Sequence, residues 1–496
     1  MPRASRPASG AHKALPLQIA LDKGCDEPIQ AQLCRQFRAL ILSGALPPGT
    51  QLPSSRLLAQ ELGCSRTPVL MAIEQLVAEG FVVTRDRSGI EVAADLPQES
   101  RPAGAVQAAS PAIQGLSMRG ERLAMVTSQF GVRYSSSPGH AAVEGFPFEL
   151  WGKLAARVWR HPASSVVWTD SPAGYPPLRE ALAEHVRVVR GLPCTADQII
   201  ITTGTRSAAD MVGRILLDAG DEVALEDPGW PGWAVLESVG QKLTRVPVDA
   251  EGIDVEQLQR LAPAARMAAV TPSHQFPLGP PMSLQRRLAL LNWAREGGRW
   301  ILEDDYDSEF RYSGAPLATL CGLDGGRNVL YIGTFSKAFF PSLRMGYLIV
   351  PRDLAPKFAQ ARAAIDVFPS VMQQPVLAAF IAEGHLARHI RTMRRLYGLR
   401  YEVVRKAFEQ QFGDEVEVIE TATGLSLTVV FRRPMNDLWA AERARALGFY
   451  VYPLSVFYFD RPAQSGLVVG LNSLPEEMVH ASVGKLRAQL RDTAPA

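Results

Sequence analysis

The sequence predicts an α/β protein in which a small winged helix-turn-helix domain precedes a larger domain built on a mostly parallel, doubly wound sheet. Between residues 26 and 95, three amphipathic helical segments are followed by two short apolar segments with Asp-Arg-Ser-Gly between them. After residue 126, short apolar runs without alternation recur with amphipathic helices among them. Such runs are typical of strands that are buried on both faces.

The three helices and the hairpin of the small domain follow from apolar spacing and capping residues. Ser54 is expected to cap the second helix and Ser65 the third, while Gly44, Gly63 and Gly80 end the three helices. The predicted segments are helices over 29–42, 54–62 and 65–80 and strands over 81–83 and 90–93.

The large domain begins with seven predicted strands and continues into a second, smaller α+β subdomain after Pro351. The strands are predicted over 199–202, 222–225, 243–247, 267–271, 299–303, 329–332 and 347–350, with helices over 207–217 and 283–296 between them. In the smaller subdomain, helices are predicted over 354–364 and 371–412 and strands near 425–431 and 467–471.

Length and composition agree with several folding units joined by loose segments. The chain has 496 residues, of which 47% are hydrophobic and 21% charged. Residues 1–25 and 96–125 are rich in Pro, Ala, Ser and Gly, which predicts a flexible tail and a linker that flank a domain over 26–95. The second domain is expected over 126–496.

Charge and cysteine usage exclude other classes of protein. The net charge of +2 excludes a globally basic coat for nucleic acid, so a DNA role requires a local surface. Five scattered cysteines without a C-x-x-C pair argue against a disulfide scaffold or a structural zinc site. No apolar run is long enough for a membrane span. We therefore expect a soluble, cytoplasmic protein that binds no metal.

Lys337 is the strongest candidate for chemistry. The chain has only 8 lysines against 44 arginines, and Lys337 follows a predicted strand in a Ser-Lys pair. A surface ion pair is the ordinary interpretation of one lysine. Here, however, unusual residues follow several strands, and the carboxyl ends of parallel strands collect ligands. They are Thr203, Gly204, Thr205, Trp230, Asp304, Tyr306, Ser336 and Arg344.

Together these residues suit pyridoxal 5'-phosphate (PLP). Lys337 offers the amine for a Schiff base with the aldehyde, and Asp304 a carboxylate for the pyridine nitrogen. Tyr306 offers a donor to the ring's phenolate oxygen and Trp230 a flat face for stacking. The phosphate is expected at the helix start formed by Thr203, Gly204 and Thr205, together with Ser336 and Arg344.

In the small domain, the positions of individual residues indicate DNA binding, whereas the net charge of the domain does not. Its six arginines face seven acidic residues, a net charge of about −1. Arg56 begins the second helix, Ser65, Arg66 and Thr67 begin the third, and Arg87 lies near the tip of the wing, where phosphates and base edges would be met. A helical docking module is the alternative interpretation.

These motifs resemble the MocR-type regulators, the GabR-like subfamily of the GntR superfamily. On the DNA side the resemblance rests on PPGTQLPSSRLLAQELGCSRTPV and LVAEGFV. On the cofactor side it rests on ITTGT, ALEDPGWPGW, VTPSHQFPLG, ILEDDYDSEFRY and YIGTFSKAFFPSLRMGY. It implies a fold type I aminotransferase-like domain, a Schiff base at Lys337, ring-nitrogen pairing by Asp304 and phosphate binding by Arg344. It also implies that Arg56, Arg66, Thr67 and Gly89 lie at the DNA.

The sequence departs from the family pattern at several positions. Trp230 replaces a usual Tyr, Arg206 a usual Gln and Leu278 a small polar residue, and the wing reads Ser-Gly-Ile-Glu-Val instead of Ser-Gly-Thr-Phe-Val. Aligning LVVGLNSLPEE with the strand that carries the carboxylate-binding arginine of aminotransferases puts Val468 at that arginine's place. This departure argues against an amino-acid substrate.

We therefore expect a PLP-dependent transcriptional regulator rather than an enzyme. The family implies a homodimer on an operator with two half-sites and a small-molecule effector, either PLP itself or an amine condensed with it. An active aminotransferase with an accessory N-terminal module is the alternative. A third possibility is DNA binding with a purely structural cofactor site.

Overall fold

The computed structural model describes residues 19–85, 89–94, 115–128, 137–168, 171–460 and 464–492. The chain divides into two compact units, Met1–Gln114 and Gly115–Ala496. The predicted tail over 1–25 and the predicted linker over 96–125 fall largely outside the described residues. Within the described ranges, no helix is long and apolar enough to cross a membrane.

The first unit is a three-helix domain with a small antiparallel sheet. Its sheet has the order β1-β3-β2, so the wing hairpin pairs with a strand that precedes the second helix. The elements are α1 (Ile29–Leu42), β1 (Gln51–Leu52), α2 (Ser55–Glu61), α3 (Arg66–Ala78), β2 (Val82–Arg85) and β3 (Gly89–Val92).

Apolar residues from all three helices and the hairpin form one core in this unit. Leu33, Leu58 and Leu76 are fully buried there, one from each helix. The side chain of Ser54 accepts a hydrogen bond from the backbone N–H of Leu57, which confirms the predicted cap of α2. The predicted cap of α3 is wrong: Ser65 stands at the N-cap position without a capping side-chain hydrogen bond.

The second unit contains an eight-stranded sheet with the order β4-β11-β10-β9-β8-β5-β6-β7. Its central strands are parallel, whereas β11 is antiparallel to both β10 and β4, and β7 is antiparallel to β6. The strands are β4 (Ile199–Thr202), β5 (Glu222–Asp227), β6 (Lys242–Asp249), β7 (Gly252–Ile253), β8 (Ala265–Val270), β9 (Trp300–Asp304), β10 (Val329–Thr334) and β11 (Gly346–Ile349).

Helices surround this sheet and continue into the C-terminal part. In chain order they are α4 (Met118–Ser128), α5 (Phe148–Arg160), α6 (Ser164–Val167), α7 (Pro176–Arg190), α8 (Thr205–Leu216), α9 (Ala234–Ser238), α10 (Val255–Leu261), α11 (Leu284–Gly297), α12 (Leu320–Asp324), α13 (Ala355–Ile365), α14 (Gln374–Ala382), α15 (His385–Phe412), α16 (Asp437–Ala446) and α17 (Glu476–Asp492). The single helix predicted over 371–412 is wrong, because Gly384 adopts a φ of 77° and separates α14 from α15.

A second sheet in the C-terminal part, with the order β12-β13-β15-β14, is antiparallel throughout. Its strands are β12 (Val416–Ile419), β13 (Ser426–Phe431), β14 (Val451–Pro453) and β15 (Gly466–Gly470). This sheet, together with α15, α16 and α17, corresponds to the predicted α+β subdomain. The architecture therefore confirms the predicted fold class.

The main sheet is buried on both faces by two separate apolar clusters. Alternate residues of one strand contribute to different clusters: Ile199 and Ile201 belong to one and Ile200 to the other, and all three are at most 1% exposed. Double-sided burial accounts for the near-continuous apolar runs in the sequence.

Candidate functional site

Three chain segments meet at the carboxyl edge of the main sheet. Thr202 at the end of β4 is in register with Gly346 at the start of β11, and Gly346 is in register with Thr334 at the end of β10. Because β11 runs antiparallel to its neighbours, the residues before Gly346 lie at the same edge as the residues after Thr202 and Thr334. The predicted phosphate residues are thereby brought together.

This register brings backbone amides and a guanidinium group to the carboxyl edge of the sheet. α8 begins at Thr205, and Gly204 precedes it with a φ of 125°, so the first backbone amides of α8 face this edge. A Cβ placed on Gly204 would lie 3.7 Å from a terminal nitrogen of Arg344. The exposed Arg344 thus lies beside the helix start, and within the described part of the chain it has no carboxylate partner. This combination suits a phosphate.

Ser336 is also held at this edge. The hydroxyl of Thr334 lies 3.1 Å from that of Ser336 and accepts a hydrogen bond from the Ser336 backbone N–H at 3.2 Å. These contacts close the turn after β10 and leave Ser336 and Lys337 next to each other just beyond the strand.

Lys337 lies among acidic residues at the same edge. Its Nζ donates a hydrogen bond of 2.8 Å to the carbonyl oxygen of Gly139. Burial lowers the pKa of Lys337 below its ordinary value, against the opposing charges of Asp307 and Asp304. A lowered pKa increases the fraction of neutral amine, which is the form that attacks an aldehyde.

Asp304 ends β9 and is buried, with 4% of its surface exposed. Burial and then the charge of Asp305 raise the pKa of Asp304 well above its ordinary value, and Lys337 acts in the opposite direction. The Oδ1 atom of Asp304 has no hydrogen-bond partner among the described residues. A buried, unsatisfied carboxylate oxygen is unfavourable unless a ligand supplies a donor.

The neighbouring carboxylate, Asp305, has partners within the protein for its Oδ2 atom. It forms an ion pair with Arg190 at 2.7 Å and accepts a hydrogen bond of 2.5 Å from the hydroxyl of Tyr331. Burial raises the pKa of Asp305, but Arg190 and Tyr331 outweigh this effect and lower it overall. Oδ1 of Asp305, like Oδ1 of Asp304, has no hydrogen-bond partner among the described residues. The two consecutive aspartates differ because Asp305 is paired with Arg190, whereas Asp304 has no ion pair in the described part of the chain.

Tyr306 belongs to a polar group that the sequence did not reveal. Its hydroxyl lies 2.9 Å from Nδ1 of His274, and the same nitrogen lies 2.9 Å from Oδ2 of Asp307. The rings of His274 and Tyr306 are stacked, with centroids 5.6 Å apart. Burial, followed by the charge of Asp307, raises the pKa of Tyr306 well above its ordinary value, so this residue is a neutral donor.

Trp230 follows β5 and contacts Trp233 edge to face at 5.2 Å. The guanidinium carbon of Arg206 lies 5.7 Å from the centre of the Trp230 ring. Arg206 is the second residue of α8, so Trp230 is in contact with the helix start at which the phosphate is expected. A Cβ at position 232 would lie 2.2 Å from the Trp230 ring, so Gly232 makes room for the larger aromatic side chain.

Val468 lies in the middle of β15 and is 1% exposed. It packs with Leu454 and Phe457 in an apolar cluster that also includes Phe276 and Leu278. Leu278 and Val468, which both differ from the family pattern, therefore lie in the same apolar cluster.

In the small domain, most predicted DNA residues lie on the surface of α2 and α3. Arg56, Ser65, Arg66 and Thr67 are exposed, and Nε of Arg66 donates a hydrogen bond of 3.2 Å to the hydroxyl of Ser55. Gly89 begins β3 with a φ of 92°. Arg87 lies outside the described residues.

Comparisons with known proteins agree with both units. The model of bacterial regulatory proteins of the gntR family matches residues 29–92, and the model of aminotransferase class I and II matches residues 163–480. The fold and the site thus define a DNA-binding regulator fused to an aminotransferase-type domain.

Relatives with both parts are similar over nearly the whole chain. A protein of Rhizobium meliloti named probable rhizopine catabolism regulatory protein MocR is 36% identical over 95% of each chain. The pyridoxine biosynthesis transcriptional regulator PdxR of Corynebacterium glutamicum is 31% identical over 93% of this chain and 96% of its own. The chain belongs to the MocR-type family of transcriptional regulators, which confirms the predicted resemblance.

The second unit also resembles solved enzymes. A kynurenine aminotransferase of Pyrococcus horikoshii, solved with PMP, superposes with a TM-score of 0.67 and 25% identity over 77% of this chain and 96% of that chain. The unit is accordingly a PLP-binding domain of the aminotransferase type. Its residues fit this cofactor, because the unsatisfied Oδ1 of Asp304 and the unpaired Arg344 provide complementary groups for the ring nitrogen and the phosphate.

Proposed function

We propose that this regulator holds PLP at Lys337, responds to an amine that reaches the cofactor, and works as a homodimer on an operator with two half-sites. The observation that carries the proposal is that a half-buried lysine amine and the unsatisfied Oδ1 of Asp304 lie at one sheet edge, close enough for their charges to interact. PLP supplies an aldehyde for amine capture and a ring that withdraws electrons.

Each residue at the edge has one proposed role toward the cofactor. Lys337 binds the aldehyde carbon, and Asp304 accepts a hydrogen bond from the protonated pyridine nitrogen. The hydroxyl of Tyr306, oriented by His274 and Asp307, donates to the phenolate oxygen, and Trp230 stacks on the ring. Thr203, Gly204, Thr205, Ser336 and Arg344 bind the phosphate. In support, the register of β4, β11 and β10 fixes the relative positions of the phosphate residues.

The proposed effector is PLP itself or an amine without an α-carboxylate. Val468, which the sequence alignment puts at the place of the carboxylate-binding arginine of aminotransferases, lies in an apolar cluster. A planar guanidinium both binds and orients a carboxylate, and an aliphatic side chain does neither. We therefore propose a sensor rather than an efficient enzyme, although the domain retains the groups for a half-reaction.

The homodimer is supported by an apolar surface on the second unit. The end of α13 and the segment that joins it to α14 expose four large apolar side chains, and Trp168 is 82% exposed. The four residues are Ile365, Val367, Phe368 and Met372. Exposed apolar surface of this extent is typical of protein–protein contacts.

We also propose that Arg56, Ser65, Arg66, Thr67, Arg87 and Gly89 contact the operator. Arg35, Arg38 and Arg85 form ion pairs with Glu27, Glu79 and Glu91, whereas Arg56 and Arg66 have no carboxylate partner in the described part of this unit. Their charges are therefore available to DNA. The proposed DNA-binding domain covers 26–95 and the proposed cofactor domain 126–496. The five free thiols suit a reducing cytoplasm.

Purified full-length protein, loaded with PLP, tests this proposal in one series. Visible absorption reports cofactor attachment, and retardation of the DNA upstream of its own gene reports binding. Candidate amines such as taurine and GABA are then added. A spectral change accompanied by altered DNA binding supports a sensor. Unchanged DNA binding in every spectral state contradicts it.

A further inference from the structure

The exposed face of α3 is unusually apolar for a helix with a basic start. α3 buries Val69, Ala72, Ile73 and Leu76 against the rest of its domain. On its outer side, Leu70 is 37% exposed and Met71 is 47% exposed. These two side chains occupy the centre of the outer face and are not used by the cofactor site.

Leu70 and Met71 continue the surface that begins with the proposed DNA residues. Leu70 is four positions after Arg66, and Met71 is four positions after Thr67. Residues with this spacing are neighbours on a helix surface. If the start of α3 meets base edges, its next turn faces the following base pairs in the same groove.

We propose that Leu70 and Met71 recognise thymine methyl groups in the major groove of the operator. This inference rests on the proposed DNA contacts of α3. Neither side chain can donate a hydrogen bond, a leucine has no acceptor, and the methionine sulfur is only a weak one, so these side chains are poorly suited to the polar edges of bases. The thymine C5-methyl is the apolar group that the major groove displays, and it distinguishes A·T pairs by position and strand.

The residues around Leu70 and Met71 favour duplex DNA as the partner of this surface. Arg66 precedes it on the same face, and it lies within residues 29–92, which match the gntR family model. Glu74 follows it one turn later and is exposed. A carboxylate there opposes phosphate contact and confines this part of the helix to base edges.

Thymine-to-uracil substitution tests the proposal, because it removes only the methyl group. The full-length PLP-loaded protein first selects tight-binding duplexes from a random library. Each thymine of a selected duplex is then replaced singly by uracil. The parent and a Leu70→Ala, Met71→Ala variant are titrated against each duplex. A Leu399→Ala, Met478→Ala variant is the matched control, because both residues are similarly exposed on helices of the other unit.

We expect the parent to bind about fourfold more weakly for each contacted thymine that becomes uracil, as for the loss of one buried methyl-sized group. The control variant should show the same loss, and the double variant should bind thymine and uracil duplexes equally. The proposal is overturned if the parent ignores every uracil substitution, or if the double variant keeps the parent's discrimination. Failure to select any duplex would instead contradict DNA binding itself.

Discussion

The amine of Lys337 hydrogen-bonds to the carbonyl oxygen of Gly139, 198 residues earlier in the chain. This contact fixes the amine at the sheet edge before any cofactor arrives. A Cβ on residue 139 would lie 2.6 Å from Nζ of Lys337. The small residue at position 139 is therefore a requirement of the amine's position.

Gly139→Ala should retain the fold but slow PLP capture, because the new methyl group displaces the flexible end of Lys337. The cost to folding should be small, because the new methyl group would meet only the end of the Lys337 side chain within 4 Å. The rate of PLP incorporation, followed by visible absorption, measures the effect. Gly152→Ala in α5 is the matched control, since a Cβ there has no neighbour within 4 Å. Equal capture rates in both variants would contradict the inferred contact.

Lys337→Ala should abolish covalent attachment of PLP, because the variant lacks the amine that binds the aldehyde. Borohydride reduction followed by peptide mapping locates the attachment in the parent. Lys357→Ala, a substitution in α13, is the control. The assignment is wrong if the Lys337→Ala variant still gives a borohydride-stable adduct on the same peptide.

Arg66→Ala should weaken specific DNA binding by about 1 to 3 kcal/mol without unfolding either unit. The guanidinium is exposed and has no carboxylate partner among the described residues, so its loss leaves no buried charge behind. Retardation of the upstream DNA at matched salt measures the change. Arg35→Ala is the control, because Arg35 is exposed but paired with Glu27 at 2.8 Å. Equal affinity of the Arg66→Ala variant and the parent would remove Arg66 from the interface.

The cofactor-free protein should lose stability as the pH rises from about 4.5 to about 7. Burial, with a contribution from Asp305, raises the pKa of Glu303 from 4.5 to about 7 in the folded protein. Between these values the folded state binds more protons than the unfolded state, so unfolding becomes easier as the pH rises. A difference of this size corresponds to about 3 kcal/mol for one group.

Glu303→Gln should reduce this dependence but not abolish it, because burial also raises the pKa of Asp304 and raises that of Glu226 to about 7. The stability of the variant falls, because an amide nitrogen would face the backbone N–H of Leu320 or Cys321. Denaturant unfolding between pH 4 and 8 measures the slope. Glu296→Gln, which changes an exposed carboxylate on α11 that has no ion pair in the described part of the chain, should leave the slope unchanged. An unaltered slope in the Glu303→Gln variant would show that Glu303 titrates normally.

The protein should not be an efficient transaminase for ordinary α-amino acids. With Val468 packed in an apolar cluster, the α-carboxylate lacks the bidentate partner that aligns the Cα–H bond with the ring. Loss of such alignment and pairing costs several kcal/mol and lowers turnover by orders of magnitude. Single-turnover conversion with L- and D-amino acids, compared with taurine and GABA, measures this. Rapid multiple turnover with any common α-amino acid would favour the alternative of an active enzyme.

The sequence predicted most of the fold because buried parallel strands leave continuous apolar runs. It missed the short strands β1, β7, β12 and β14, since two to four residues carry little periodicity. It also extended one helix across Gly384. These errors concern features that depend on pairing or on one backbone angle rather than on a repeating pattern.

The sequence also pointed to several residues of the candidate site, because Asp304, Ser336 and Lys337 lie in short motifs at or just after the ends of strands. It gave no indication of the contacts that Gly139 and His274 make. Gly139 reaches Lys337 only through tertiary folding, and His274 shares its nitrogen with two residues from a different strand end. The spacing of residues in the sequence does not indicate such tertiary contacts.

The ion pairs within the small domain have a consequence for how the regulator searches the genome. Because Arg35, Arg38 and Arg85 are neutralised internally, few cations remain to displace the counterions condensed on DNA. The affinity should then depend only weakly on salt, and residence on random sequence should be short. In the proposed homodimer, occupancy of the operator would come from base recognition and from the simultaneous engagement of two half-sites.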